Sequence, residues 1–358
     1  LFVIHAHSQI ISSTRNGVWT DPATWAGGMV PSSVNATQII IDHQVEIPDS
    51  SGVSAFRVVV NNTLTLMSGA TLEILPDLLP SVPDFLVSGT LICEDSSFLM
   101  GTTLSNTRFE PGSVYVHKQG PLGFLPYGLW DANSTLVIAG FTTSGYINIA
   151  HSDSWRQSFG NVIYDCPLQT IFAVDLNGYL NDIQGDFVIR NTNNQSLRLS
   201  TTQNPVIRIG GHLIVEGPSE VWFCTTGTTP IVNITGDFIY RSTSSGSSYL
   251  TTRGQISVNV GGNFVMESAS PLRMTSSAVD SVDSGRMAEL NVSGSVNILS
   301  GSIVAPPLGS GVGRVVFSGS GTQFFTTPVG VDPFQGNIDY EVAAGSVVDL
   351  GVYVLSNT

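Results

Sequence analysis

Three groups of residues in this 358-residue chain have types and spacing that could do chemistry. The first is Asp175-Leu176-Asn177-Gly178, followed by Asp182, Asp186 and Arg190. Oxygen-bearing side chains around a turn can hold a hard cation, so Asp175, Asn177 and Asp182 are the candidate calcium ligands. Carboxylates beside an arginine are also what a polysaccharide lyase or hydrolase uses for acid–base work. The remaining ligand positions of a calcium loop are missing, and a polar turn before a strand at Phe187 accounts for the same residues. The second group, Asp280, Asp283 and Arg286, lies in an insertion that is either a binding loop or a plain solvated one. The third is Trp19 and Trp25, whose indoles could stack on sugar rings or cover an apolar end of the fold.

Other chemistry finds little support. Gly309-Ser310-Gly311 and Gly319-Ser320-Gly321 lack the strand–turn–helix setting of a nucleophile elbow. His43, His117, His151 and His212 are isolated in sequence, and Cys93, Cys166 and Cys224 show no zinc or Cys-x-x-Cys spacing. Their odd number excludes a complete intramolecular disulfide framework, and buried thiols are expected. No catalytic set is recognised.

Whatever positions these residues is not helical. Charged residues make up 11% of the chain, against roughly 25% in an average soluble domain. Ser, Thr, Asn and 37 Gly fill the polar positions, a composition suited to strands and tight turns. The net charge is −14 and Lys118 is the sole lysine. With the arginines scattered singly, no basic patch exists to hold phosphates, and nucleic acid is excluded as an expected partner. No stretch is long and apolar enough to be a transmembrane segment.

A repeat dominates the chain. The template apolar-x-apolar-x-Gly-x-apolar-x-apolar centres on Gly185, Gly211, Gly236, Gly262 and Gly294, at separations of 26, 25, 26 and 32 residues. It recurs around Gly89, and Asn62 takes the glycine's place one period earlier. Alternation with period two puts every apolar residue of the template on one face of a strand. One such strand every 25–26 residues, with no helix between, predicts an all-β fold, a single-stranded, right-handed parallel β-helix of about 25–26 residues per coil. The central glycine marks a bend between two short strands. Asn62 in that place suggests a left-handed backbone there, since Asn follows Gly in tolerating one.

The chain opens on Leu-Phe-Val-Ile-His-Ala, which reads as the tail of a signal-peptide apolar region with cleavage before Gln9. Residues 1–8 are therefore expected to be a signal remnant, 9–50 an N-terminal cap holding both tryptophans, and 51–358 the β-helix, continuing beyond the given chain. The stretch Trp19 to Pro31, with Trp25, Gly27 and Gly28 between, resembles the opening of secreted β-helical surface proteins of Bacteroidota exported by type IX secretion. It is also similar to the start of the G8 domain of animal cell-surface proteins. That resemblance is motif-specific only over residues 16–48, and implies an extracellular, β-helical protein.

The expected function is a secreted or cell-surface structural or adhesive module, non-catalytic. The alternative is a β-helix that binds or degrades carbohydrate. Expected partners are an extracellular glycan, a cell-surface component or further copies stacked end to end; no cofactor beyond calcium is anticipated.

Overall fold

The structure is a computed structural model that describes residues 9–76, 82–120, 123–143, 145, 147, 152–276, 286–306 and 311–351. The signal-like residues 1–8, His151, Asp280, Asp283 and the last residues of the chain lie outside them. Two compact units are present, Leu1–Phe141 with Asp153–Asn161, and Thr142–Ser152 with Val162–Thr358. In each, strands pair in parallel with strands one coil away, as a β-solenoid.

In the second unit each coil contributes strands to three parallel sheets. Strands Val206–Ile209, Ile231–Ile234, Gln255–Val260, Met287–Val292 and Val312–Phe317 stack in one sheet, with Ile207, Val232, Val258, Leu290 and Val315 in register. After the glycine bend, Phe187–Asn191, Leu213–Gly217, Phe238–Ser242, Phe264–Glu267 and Val296–Ser300 stack in the next. There Phe187, Leu213, Phe238, Phe264 and Val296 form one column, so the period read from the sequence is the coil itself. All ten of these side chains are at most 2% exposed. Each such burial contributes ~1.5–3 kcal/mol. Because the column partners sit in neighbouring coils, that gain is realised only when coils stack.

The third sheet is absent from the sequence template. It holds Ser196–Ser200, Glu220–Cys224, Ser248–Thr251 and Leu272–Thr275. Its inward positions are mostly apolar, Leu197 and Leu199, Val221 and Phe223, Leu250, Leu272 and Met274, with Ser248 among them. At the strand ends the alternate positions Ser200, Cys224, Thr251 and Thr275 stack as a buried, largely polar column. Between Asn191, which ends a strand, and Ser196, which starts the next, the chain turns with Asn193 and Asn194 left-handed.

The first unit has less even coils. Val45, Leu64, Leu91, Tyr115 and Leu136 are in register at steps of 19, 27, 24 and 21 residues. Residues 9–50 already belong to this stack. Ile10–Ser12 and Gly17–Val18 pair in parallel with Gln38–Ile41 and Gln44–Ile47, so the first coil begins inside the expected cap. The tryptophan segment folds within that coil as two 3-10 turns, Pro22–Thr24 and Ala26–Gly28.

The glycine corners lie between two strands of a coil, but the expected backbone reason is wrong. None of Asn62, Gly89, Gly185, Gly211, Gly236, Gly262 or Gly294 has a positive φ. Close approach between coils is the cause. Each of Gly211, Gly236, Gly262 and Gly294 donates its N–H to the carbonyl of the corner glycine one coil before, at 2.8–2.9 Å. The side chain after each glycine then accepts the N–H of its counterpart one coil on. Asp186 Oδ1 accepts from His212 at 2.7 Å, His212 Nδ1 from Asp237 at 2.9 Å, and Asn263 Oδ1 from Ser295 at 2.8 Å. A Cβ on Gly236 would stand 2.8 Å from His212 Nδ1, and one on Gly294 2.7 Å from Asn263 Oδ1. On Gly211 and Gly262 it would strike the carboxylates of Asp186 and Asp237, and on Gly89 the Asn62 carbonyl. Glycine is needed because an acceptor occupies the space.

Candidate functional site

The outward face of the third sheet gathers the chain's most distinctive surface. Each strand there is short, buried on both sides of one outward position, and that position is stacked on its counterpart in the next coil. Register places Asp175, Arg198, Trp222, Tyr249 and Arg273 in a single column. Phe172, just before the strand Ala173–Asp175, is 61% exposed. The Trp222 ring meets Phe172 edge-on at 5.5 Å and Tyr249 edge-on at 5.4 Å between centroids. The Arg198 guanidinium carbon lies 4.9 Å from the Trp222 centroid and 5.8 Å from that of Phe172, within cation–π range of both. Trp222 Nε1 donates to the Ser247 carbonyl at 3.2 Å and Arg273 Nε to Ser247 Oγ at 3.0 Å, which fixes both side chains against the sheet. Arg198, Trp222, Tyr249 and Arg273 were not singled out from the sequence. The available signal was one large or charged residue per coil at the centre of each third strand.

The proposed calcium ligands are not brought together. Asp175 Oδ1 accepts the Asn177 N–H at 2.8 Å, and Thr201 Oγ1 donates to its other oxygen. Asn177 Oδ1 accepts from Thr202 N at 3.1 Å and Thr202 Oγ1 at 2.6 Å, with Asn177 left-handed at φ 48°. These oxygens close a turn. Asp182 lies on another sheet, in the strand Asp182–Ile183, opposite Arg208. Among the described residues no group of three or more His, Cys, Asp or Glu is placed to hold a metal ion. Desolvation raises the pKa of Asp175, with the bonds from Thr201 and Asn177 and the charge of Arg198 working the other way.

Trp19 and Trp25 are 1% and 2% exposed, so neither presents a ring face to a sugar. Their rings meet edge-on at 5.0 Å. Trp25 Nε1 donates to the Trp19 carbonyl at 2.7 Å, and Trp19 Nε1 to the Pro31 carbonyl at 3.1 Å. Both indoles are core, with their polar edges satisfied.

Two other places hold reactive residue types. In the first unit, a recess of about 260 Å³ runs from the exposed Phe98, Met100 and Phe124 down to Cys93 and Tyr115. Tyr115 Oη lies 3.1 Å from His117 Nδ1. Burial pushes the Cys93 thiol up to about 11 and His117 down to about 3, so near neutral pH the thiol is protonated and the imidazole uncharged. That combination lacks both a thiolate and a charged partner to stabilise one. Cys93, Cys166 and Cys224 are all buried, and none is in a disulfide. In the second unit, a surface groove of about 410 Å³ follows Asn233, Asn259 and Asn291. There each later amide nitrogen donates 2.8 Å to the carbonyl oxygen of the asparagine one coil before, a ladder that consumes the amides in the fold.

No protein-family model, curated protein or solved structure matches this chain.

Proposed function

We propose that this chain is an extracellular adhesive β-solenoid module that binds carbohydrate on the outward face of its third sheet. The observation that carries this reading is the column Arg198–Trp222–Tyr249 with Phe172 against it, a run of aromatic side chains outside the core. A fold of this kind hosts many functions, so the argument rests on the site. Sugar rings have apolar faces and polar rims, and half-buried aromatic rings meet the faces while neighbouring donors meet the rims. A parallel sheet repeats those rings once per coil, which suits a polymer with its own regular repeat. The signal-like Leu1–Gln9 stretch and the resemblance of residues 16–48 to exported surface proteins support the extracellular setting.

The test is retention on polysaccharides immobilised in a native gel. The wild-type chain is expected to be retarded by at least one polymer, and Trp222→Ala to migrate unretarded with an unchanged thermal melt. Retardation that survives Trp222→Ala and Tyr249→Ala together would remove the site.

A further inference from the structure

We infer, resting on that carbohydrate reading, that the ligand is an anionic polysaccharide lying along the stack of coils, its sugar faces on Trp222 and Tyr249 and its charges on Arg198 and Arg273. The carboxylate of a uronic acid and the sulfate of a sulfated sugar share the chemistry a guanidinium recognises, a flat or trigonal face of anionic oxygens.

Charge is the first support. The chain is strongly acidic at −14, and a polyanion would be repelled by most of its surface. Arg15, Arg108, Arg190, Arg241 and Arg314 are each held by a carboxylate. Among the described residues neither Arg198 nor Arg273 forms an ion pair, although Asp175 acts on Arg198 from farther off. Arg198 Nε is buried without a hydrogen-bond acceptor. Two guanidiniums that no carboxylate neutralises thus sit in the same outward column as the aromatic rings, Arg198 resting on Trp222 and Arg273 bonded through Nε to Ser247 Oγ, where the anionic groups of a sugar polymer would supply the missing countercharge.

Spacing is the second. Arg198, Trp222, Tyr249 and Arg273 occupy four successive coils. Neighbouring strands are ~4.8 Å apart, close to the advance of one sugar ring along an extended glycan. A stretch of four sugars therefore meets a guanidinium at each end and an aromatic ring at each position between. A single-stranded nucleic acid also combines stacking with negative charge. It carries a phosphate at every nucleotide and calls for a line of cations, whereas cations stand only at the two ends of the stretch Arg198 to Arg273, and the next position of the column beyond Arg198 is the carboxylate of Asp175.

The test compares binding of a polygalacturonate, a sulfated galactan, an uncharged galactan and a thymidine oligonucleotide to the wild-type chain by calorimetry, at two salt concentrations. One or both anionic polysaccharides are expected to bind roughly tenfold or more tighter than the uncharged one, a difference that shrinks with salt. Which of the two binds identifies carboxylate or sulfate as the anion. Arg198→Gln combined with Arg273→Gln should abolish the preference while leaving the weaker binding of the uncharged galactan in place. Uronate oligomers should gain affinity up to four sugars and little beyond. Equal binding of charged and uncharged galactans would overturn the anionic assignment and leave the carbohydrate reading standing. Failure of every polysaccharide to bind would overturn both, and tighter binding of the oligonucleotide would replace the ligand class. The comparison of polymers on the unaltered chain decides the matter even if the double variant misfolds.

Discussion

The Asp237 carboxylate accepts the backbone N–H of Asn263, one coil further along the chain, at 2.6 Å. Asn263 also donates its amide Nδ2 to the same oxygen at 3.2 Å, and then repeats the arrangement toward Ser295. The corner is held by an acceptor, and the acceptor need not be charged. Asp237→Asn is therefore expected to change stability by less than about 0.5 kcal/mol, and Asp237→Ala to cost roughly 1–3 kcal/mol by leaving the Asn263 N–H without its partner. Urea unfolding of the two variants checks this. Equal losses would show that the negative charge, not the acceptor, holds the corner.

The adjoining glycine gives a second prediction. An alanine methyl at Gly262 would collide with the Asp237 carboxylate and the Gly236 backbone, so Gly262→Ala should cost roughly 1–3 kcal/mol. Gly227 has open space around its Cβ position and no positive φ, so Gly227→Ala is the matched control, expected within about 0.5 kcal/mol of wild type. Thermal melts of both compare the two sites directly.

Much of the fold was legible because its ladders are apolar and regular. Ile207, Val232, Val258 and Leu290 alternate with polar residues at a near-constant period, and the structure stacks them in one column. The third sheet was illegible for a physical reason. Its inward face offers only two positions per strand, such as Leu197 and Leu199, with Ser248 breaking the apolar pattern. The flanking Ser200 and Thr251 are buried yet polar, Ser200 Oγ donating to Gln203 O at 2.7 Å and Thr251 Oγ1 to Arg253 O at 2.5 Å, so these strands blend into the Ser- and Thr-rich turns around them. The corner glycines were found but explained wrongly, since a steric demand from a neighbouring coil leaves no local signature. The same holds for the candidate site. Trp222 and Tyr249 are 27 residues apart and become neighbours only through register, whereas Trp19 and Trp25 were conspicuous in sequence and proved to be core.

Glu220 makes stability depend on pH. Its carboxyl is buried in a serine-rich corner, where Ser244 Oγ donates to it at 2.9 Å. Burial raises its pKa, and the Ser244 bond only partly opposes this. A group whose folded pKa is raised binds its proton more tightly folded than unfolded. Its contribution is complete below the ordinary carboxylate range and is lost as pH rises through the folded value. Glu220→Gln is expected to melt higher than wild type at neutral pH and to show a shallower decline between acid and neutral pH. An unchanged pH profile would contradict this account of the corner.

Trp25 separates core from ligand site. Trp25→Ala removes a buried ring and its bond to the Trp19 carbonyl, and should cost roughly 3–5 kcal/mol. Folded protein recovered below its melting point should still bind polysaccharide as wild type does. Lost affinity in a variant with native circular dichroism would return Trp25 to the ligand site.

The most direct test of the central claim uses tryptophan emission. Of the five tryptophans, Trp19, Trp25, Trp130 and Trp155 are at most 5% exposed, and Trp222 is half-buried on the outward column. Acrylamide quenching is therefore expected to act mainly on Trp222, and a saturating polysaccharide to protect it. In Trp222→Phe both the quenching and the protection should largely disappear. A polysaccharide that binds without protecting Trp222, or no polysaccharide that protects it, would contradict the assignment of this sheet face as the carbohydrate site.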